Sequence, residues 1–191
     1  MNILIIASGP SLSQHQLDVA DRLKPVTIAI NDNYLRAPWA DVLYACDLQW
    51  WQWHENKEEL KAFKGRKVTR NIEAAKKYNL EYIESSPQLG LSIDPKIIHE
   101  GMNSGYQAIN LAYHMGGTRI LLIGYDMQTT DNKAHWFGDH PNKVRSNYNS
   151  WLLPYISLAD HAKKLNLEII NCTITTALTC FPRMDLKEAL Q

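Results

Sequence analysis

Two histidines in a polar loop are the side chains of this sequence best suited to move a proton near neutral pH. The segment AHWFGDHP, residues 134–141, holds His135 and His140 and has no apolar face that would bury either imidazole. A histidine in such a loop could accept the proton of an attacking hydroxyl. The alternatives are an exposed histidine without a chemical role, or a metal site shared with Asp139 or Asp126, for which the His-x4-His spacing is a weak signal.

A short apolar run at the start of the chain ends in small, hydroxyl-bearing residues. NILIIASGPSL, residues 2–12, predicts a buried strand followed by Ser8, Gly9, Pro10 and Ser11. We expect the glycine to let the backbone approach a ligand, and the amides and hydroxyl at the start of the next helix to bind an anion. An ordinary capped turn is the alternative. The pattern is neither GxGxxG nor a Walker loop, and no GxxxxGK[ST] occurs, which argues against a P-loop nucleotidase.

A second segment repeats this arrangement. In GMNSGYQAI, residues 101–109, Asn103, Ser104 and Gly105 precede an apolar helical run. A second helix N-terminus facing the same crevice could hold a diphosphate or a nucleoside monophosphate between the two ends. The alternative is that these residues only cap the helix.

An aromatic cluster follows a predicted strand at DLQWWQWHE, residues 47–55. Trp50, Trp53 and His54 are spaced at i, i+3 and i+4, so they share one face of a helix. Aromatic faces can stack on a sugar or a base, and the alternative is that the helix packs its aromatic side into the core. The candidates for lining a substrate pocket here are Asp47, Trp50 and Trp51.

Apolar runs of strand length alternate with helical patterns along the whole chain. Strands are predicted at 2–7, 26–31, 41–47, 67–70, 81–84, 119–126 and 167–171, and helices at 13–23 with Ser13 as N-cap, 48–63, 104–115, 147–165 and from about 185. Continuous apolar strands alternating with helices are typical of a parallel sheet covered on both faces. We therefore predict one Rossmann-like α/β domain over residues 1–191, with an open, mainly parallel sheet and a loop insertion at about 127–146 after a central strand.

Ligands of open parallel sheets bind beyond the carboxyl ends of the strands. Asn31 follows the second predicted strand, and Tyr125 and Asp126 end the central one. Because these ends meet at one edge of the sheet, we expect all three residues to line the same crevice as the two glycine segments.

The composition excludes some classes of protein. The 191 residues are 45% apolar and carry no net charge, so no basic face for nucleic acid is apparent. Of the three cysteines, Cys46 and Cys172 lie in apolar, strand-like runs and are predicted to be core thiols, which suits the cytoplasm. We expect neither a signal peptide nor a membrane span, since no stretch approaches the ~18 apolar residues that a span needs.

Several of these motifs resemble one family. IIASGPSL resembles the opening of small bacterial sialyltransferases, NSGYQAINLAYHMGGTRILLIGYDM resembles their Ser-Gly helix start and following strand, and AHWFGDH resembles their histidine loop. The same marks occur in a related family that includes an archaeal 6-hydroxymethyl-7,8-dihydropterin diphosphokinase. Small bacteriophage proteins are similar over nearly the full chain. The tryptophan-rich segment at 47–55 has no counterpart in the sialyltransferases.

The resemblance implies an activity and a set of site residues. It implies metal-independent, inverting transfer from a nucleotide-sugar donor to a hydroxyl acceptor, with His135 as general base. Asp126, at the end of the central strand, is the second catalytic candidate. The residues expected to hold the nucleotide are Ser8, Gly9, Pro10, Ser11, Asn31, Asn103, Ser104 and Gly105. The substrate-pocket residues come from the strand ends and the polar loop and not from the resemblance; they are expected to be Asp47, Trp50, Trp51, Tyr125 and His140.

Two other functions remain open from the sequence. The first is a diphosphokinase that uses Mg²⁺ through Asp47, Asp126 or Asp139. The second is a phage protein that binds a nucleotide without turnover. The oligomeric state is open as well; related enzymes often form tetramers, which makes a homo-oligomer one of the partners considered.

Overall fold

The computed structural model describes residues 1–138 and 147–191. These residues contain nine strands and seven α-helices. The strands are β1 (Asn2–Ile6), β2 (Val26–Ile30), β3 (Val42–Tyr44), β4 (Arg66–Thr69), β5 (Glu81–Tyr82), β6 (Glu84–Ser86), β7 (Ile97–His99), β8 (Arg119–Ile123) and β9 (Glu168–Asn171). The helices are α1 (Gln14–Leu23), α2 (Leu48–His54), α3 (Glu58–Ala62), α4 (Ile72–Tyr78), α5 (Ser104–His114), α6 (Tyr148–Lys164) and α7 (Leu186–Ala189). A 3₁₀ helix covers Asn31–Leu35.

Seven parallel strands form the central sheet in the order β5-β4-β3-β2-β1-β8-β9, and β6 and β7 form a small parallel pair of their own. From β1 the chain adds strands outward to β5, and it then returns to place β8 and β9 on the other side of β1. The direction of strand addition therefore reverses between β1 and β8, where open α/β sheets form their ligand crevice. The predicted α/β class with an open parallel sheet is confirmed.

The central strands are buried on both faces, which explains their continuous apolar sequences. Ile3 and Ile5 of β1 belong to the core cluster that includes α5 and α6, and Leu4 and Ile6 belong to the cluster that includes α1 and α2. All four are fully buried. Since successive side chains of a strand point to opposite faces, helices cover both sides of the sheet.

The predicted helix at 48–63 is two helices. Lys57 has an extended backbone with ψ 127°, and its amide donates to His54 O, so α2 ends before it and α3 begins after it. This break turns the chain so that Leu60 and Phe63 enter the same core cluster as α2. Helical spacing alone did not reveal the break, because the residues on both sides of it are compatible with a helix.

The predicted strand at 81–84 is divided between two sheets. Ile83 N donates to Thr69 O and closes the pairing with β4, and Glu84 N then donates to Lys96 O and begins the pairing of β6 with β7. The sequence patterns did not predict α4 or β7. The small β6–β7 pair lies directly before α5 in the chain, so it sets where that helix begins.

The tips of β1 and β8 are hydrogen-bonded to each other beyond the ends of the strands. Ala7 N donates to Ile123 O and Gly9 N donates to Gly124 O, at 2.9 and 2.8 Å. A Cβ atom on Gly9 would overlap the carboxylate of Asp126. The glycine is therefore required for close packing within the protein, whereas the sequence had suggested close approach to a ligand.

The two cysteines predicted to be core thiols are buried, Cys46 at 8% and Cys172 at 4% exposure. Burial raises the pKa of each thiol to about 12. Both sulfurs therefore stay protonated at neutral pH and are poor nucleophiles.

Within residues 1–138 and 147–191, no helix has the length and apolar character that crossing a membrane requires.

Gly9→Ala tests the packing of the β1 tip. Because the added methyl group overlaps the Asp126 carboxylate, we expect the free energy of unfolding to fall by about 2–3 kcal/mol. Ser11→Ala is the matched control in the same turn: it adds no atom and removes the hydroxyl that donates to Asp126 Oδ1 and accepts from Thr175 N, for about 1–2 kcal/mol. Urea denaturation followed by circular dichroism measures both. Equal stability of Gly9→Ala and the wild type would show that the tip can relax.

Candidate functional site

A cavity of about 430 Å³ lies at the carboxyl ends of the central strands. It reaches from the end of β4, across β3, β2 and β1, to the end of β8, and it is covered by the N-terminus of α5 and one face of α6. The predicted site residues that line it are Ser8, Gly9, Asn31, Asp47, Trp50, Asn103, Ser104, Gly105, Tyr125, Asp126 and His135. His140 and Asp139 lie outside the described residues.

The β1 tip does not form the anion cradle predicted from the sequence. Ser11 N donates to Asp126 Oδ2 at 2.9 Å, Gly9 N is bound to Gly124 O, and Pro10 has no N–H. Pro10 and Ser11 are also not among the described residues that line the cavity. The amides of this turn are therefore used to fix the turn itself, and Ser8 is the polar residue through which the tip contacts the cavity.

Asp126 holds the tips of β1 and β8 together. It accepts hydrogen bonds from Ser11 N at 2.9 Å, Ser11 Oγ at 2.7 Å and Thr130 Oγ1 at 2.8 Å, and it is 1% exposed. Burial raises the pKa of this carboxyl above its ordinary value, against the opposite effect of these hydrogen bonds. With its oxygens engaged inside the protein, Asp126 is placed to position the loop and not to exchange a proton with a substrate.

The N-terminus of α5 faces the cavity, whereas that of α1 is not among the described lining residues. Asn103 caps α5 by accepting from Tyr106 N at 2.9 Å, and helix geometry leaves the amides of Ser104 and Gly105 without intrahelical acceptors. Ser13 caps α1 as predicted, but the tied turn at Ser11 lies between that cap and the cavity. Of the two helix N-termini predicted to hold an anion, that of α5 lines the cavity and that of α1 does not.

Gly105 fits closely beneath two tyrosines. A Cβ at this position would lie 2.9 Å from Tyr125 Cε1 and 3.0 Å from Tyr155 Oη. Tyr125 Oη donates to Gly105 O, and Tyr155 Oη donates to Asn103 Oδ1, each at 3.0 Å. Both rings therefore fix the first turn of α5 against the sheet and α6.

His135 lines the cavity because its neighbour Trp136 is anchored. Trp136 N donates to Ser8 O, and its indole Nε1 donates to Asn33 Oδ1, both at 3.0 Å. The His135 ring stacks on Phe137 with centroids 5.0 Å apart. The loop that carries the imidazole is thus attached to the β1 tip by its backbone and by an indole.

Asn33 is the common partner of three of these segments. Its fully buried amide nitrogen lies 2.9 Å from Ile30 O at the end of β2 and 3.1 Å from Ser8 Oγ. It also lies 3.2 Å from Ile6 O at the end of β1. Asn33 comes two residues after Asn31 in the sequence, and only the fold shows that it joins β1, β2 and the loop of Trp136.

Trp51 was predicted to line the pocket, and this prediction is wrong. It is 1% exposed, donates its Nε1 to Ala45 O at 3.1 Å and packs near Tyr78 of α4. Trp51 is one residue after Trp50, which is a rotation of about 100° around α2. The two side chains therefore point in different directions, Trp51 into the core and Trp50 toward the sheet edge. Trp50 and Trp53 line the cavity instead, as their shared face predicts.

A buried polar network fixes Trp50. Its Nε1 donates to Asp32 Oδ2 at 3.0 Å, and its ring stacks on His54 at 4.1 Å between centroids. His54 Nε2 lies 3.3 Å from Asp32 Oδ1, and its Nδ1 is 2.8 Å from Tyr34 Oη. Burial raises the pKa of Asp32, but the hydrogen bonds from His54 and Trp50 outweigh it, so the pKa lies below its ordinary value of 3.8.

Positive backbone φ angles occur at three non-glycine residues of the cavity wall. They are 51° at Asn31, 68° at Met102 and 51° at Met127. Asparagine adopts this region readily, but methionine does so at a cost, and such strained residues cluster at functional sites. All three lie where the chain leaves a strand or approaches the start of α5.

Several lining residues were missed from the sequence. They include Arg70, Glu100, Gln107 and Trp151. Arg70 directly follows β4, so the strand-end rule would have found it had the predicted strand ended one residue earlier. Trp151 shares one face of α6 with Tyr148 and Tyr155 at helical spacing, a signal that the polar loop before them obscured.

No group of three or more metal-ligating side chains occurs in the described parts of the chain. Asp47 and Asp126 follow β3 and β8, whose ends are three strand spacings apart, about 14 Å. One Mg²⁺ with ligands at about 2.1 Å could not bind both carboxylates.

Asp32→Asn tests the network around Trp50. The wild-type carboxyl has a lowered pKa in the folded state, so its contribution is fully present above the unfolded pKa and is lost as the pH falls through the folded pKa. We expect Asp32→Asn to lower the free energy of unfolding by about 2 kcal/mol at pH 7. The difference from the wild type should shrink below about pH 4.

Urea denaturation at pH 7, 5 and 3 measures this difference. Asp21→Asn, at an exposed position of α1, is the control and should leave stability nearly unchanged at each pH. A pH-independent loss in Asp32→Asn would contradict the role assigned to its charge.

Comparison of the chain with models of known protein families, with characterised proteins and with solved structures found no match.

Proposed function

We propose that this protein is a transferase that moves a glycosyl group from a nucleotide-activated donor to a hydroxyl acceptor. The observation that carries the proposal is the convergence of Ser8, the N-terminus of α5 and His135 on one cavity at the β1–β8 switch point. An anion site and an acid–base group in one cavity are what such a reaction needs. The motifs that resemble small bacterial sialyltransferases agree with this proposal.

The amides of Ser104 and Gly105 would bind the donor phosphate. They begin an 11-residue helix whose N-terminal dipole favours negative charge. The Ser8 hydroxyl accepts from Asn33 Nδ2, which leaves its own proton available to a phosphate oxygen. Asn31 lines the same end of the cavity and would contact the ribose or the base.

His135 would act as the general base. As the acceptor oxygen attacks the anomeric carbon, its proton passes to the imidazole and a new C–O bond forms. The bond from the anomeric carbon to the phosphate oxygen breaks, and the nucleotide leaves with the electron pair. His135 is the one histidine among the described lining residues, and the alternatives Cys46 and Asp126 are disfavoured by a raised pKa and by internal hydrogen bonds.

Ser104→Pro tests the phosphate site. Proline is tolerated at the first position of a helix and removes the amide N–H, and Asn103 before it is already extended, with φ −154° and ψ 156°. We expect nucleotide affinity to fall about tenfold, as for loss of one hydrogen bond to a charged group. Ser104→Ala keeps the amide and is the matched control.

Thermal-shift titrations with cytidine, uridine, guanosine and adenosine mono-, di- and triphosphates measure this, with Mg²⁺ and with EDTA. A bound nucleotide stabilises the folded protein by RT ln(1 + c/Kd), where c is the free nucleotide concentration, so the melting temperature keeps rising with c. No shift with any of them would refute the proposal, and a shift that needs Mg²⁺ would favour the diphosphokinase.

His135→Ala tests the chemistry. We expect the rate of nucleotide release from a nucleotide sugar in the presence of mixed hydroxyl acceptors to fall by about 10²–10⁴. Nucleotide affinity should change by less than twofold. His15→Ala, exposed on α1, is the control and should keep full activity. Unchanged turnover in His135→Ala would show that His135 is not the general base. Nucleotide binding without turnover in the wild type would indicate a nucleotide-binding protein instead.

A further inference from the structure

The cavity is longer than a nucleotide phosphate requires. It crosses from β4 to β8, four strand spacings or about 19 Å. Ser8 and the loop of His135 belong to the part near β1 and β8, and the phosphate site at Ser104 lies between the two parts, since Ser104 Oγ is 3.1 Å from Cys46 Sγ beyond β3. The opposite part, which we call the far end, is lined by Asp47, Trp53, Arg70 and Glu100, beyond β3 and β4.

Arg70 and Glu100 neutralise each other at the far end. Arg70 Nη1 lies 3.0 Å from Glu100 Oε1, and Ser85 Oγ donates to the same oxygen at 2.9 Å. The two side chains are 30% and 35% exposed, so they line the cavity without closing it. Their formal charges cancel, which leaves the charge of the far end to Asp47.

Asp47 occupies the N-cap position of α2 but makes no side-chain hydrogen bond to the helix. Aspartate at this position normally caps the helix; here the carboxylate instead faces the Cys46 thiol and lies within electrostatic range of Arg70. The residue is exposed and lines the cavity. It therefore presents acceptor oxygens and a negative charge to whatever enters the far end.

Trp53 gives the far end an apolar surface. It is half-buried, lies on the same helix as Asp47 and shares a face with Trp50, whose ring is held by Asp32 and His54. An aromatic ring beside a carboxylate and a guanidinium suits a ring with apolar C–H edges and several hydroxyl groups.

We infer that the far end binds a neutral or amino-substituted pyranose and rejects an acidic one. The inference rests on the proposed function and names the sugar class for the same cavity. Hydroxyl or ammonium groups would donate to Asp47 and Glu100 while Trp53 packs against the sugar ring. A sugar carboxylate would meet two carboxylates, Asp47 and Glu100, against the single cation Arg70, so the net negative charge of the far end disfavours it.

Saturation-transfer NMR with methyl glycosides tests this without any nucleotide. The probes are the methyl glycosides of glucose, galactose and mannose, with their 2-amino and uronate counterparts. We expect signals from neutral and amino glycosides and none from uronates. Asp47→Asn keeps a good N-cap residue and should weaken the amino glycosides about tenfold and admit the uronates. Trp53→Ala should abolish binding, and Gln52→Ala, exposed on α2, should not change it.

Three results would overturn the inference: no glycoside signal, uronates that bind the wild type as well as neutral sugars do, or an Asp47→Asn variant with wild-type preferences. Nucleotide binding is measured separately. A protein that binds glycosides but no nucleotide would refute the proposed function and leave the sugar site supported. Competition distinguishes the source of the sugar. If a nucleotide sugar displaces the methyl glycoside and the nucleotide alone does not, the far end binds the donor sugar. If the methyl glycoside and the nucleotide sugar bind at the same time, the far end binds the acceptor sugar.

Discussion

The hydrogen bonds that join the tips of β1 and β8 determine the geometry of the whole candidate site. Gly9 N binds Gly124 O, and Asp126 beyond β8 binds both polar groups of Ser11 beyond β1. These two strands meet where the order of strand addition reverses, so their loops would otherwise diverge over opposite faces of the sheet. Tying the loops together leaves one cavity at the sheet edge, to which α5 and the His135 loop are then fitted.

The same bonds decide which groups can meet a ligand. A turn whose amides are satisfied internally is rigid, but it has few donors left for an anion. The N-terminus of α5 differs because Asn103 caps only one amide while Tyr125 and Tyr155 hold its first turn from outside. Rigidity is thus supplied by the β1 tip, and hydrogen-bond donors are supplied by α5.

The sequence predicted the elements of this fold well and their contacts less well. Strands such as β1 and β8 are recognisable because burial on both faces demands continuous apolar residues. The convergence of strand ends on one crevice follows from parallel topology, and it places Asn103 and His135 together. Whether a polar atom already has a hydrogen-bond partner inside the protein depends on residues far away in the sequence, so local patterns do not reveal it. Ser11 is bound to Asp126, 115 residues away, and Trp51 differs from Trp50 only in its direction from α2.

Electrostatics give the cavity two different ends. Arg70 is the one arginine or lysine among the described lining residues, and it is paired with Glu100 at the end away from β1 and β8. A phosphate near β1 would therefore be held by aligned dipoles and hydroxyl groups, as helix N-termini can hold anions without a cation. Asp47 follows Cys46, whose Sγ lies 3.1 Å from Ser104 Oγ, so the Asp47 carboxylate borders the proposed phosphate site. The dipole and free amides of α5 must outweigh this negative charge for a phosphate to bind there.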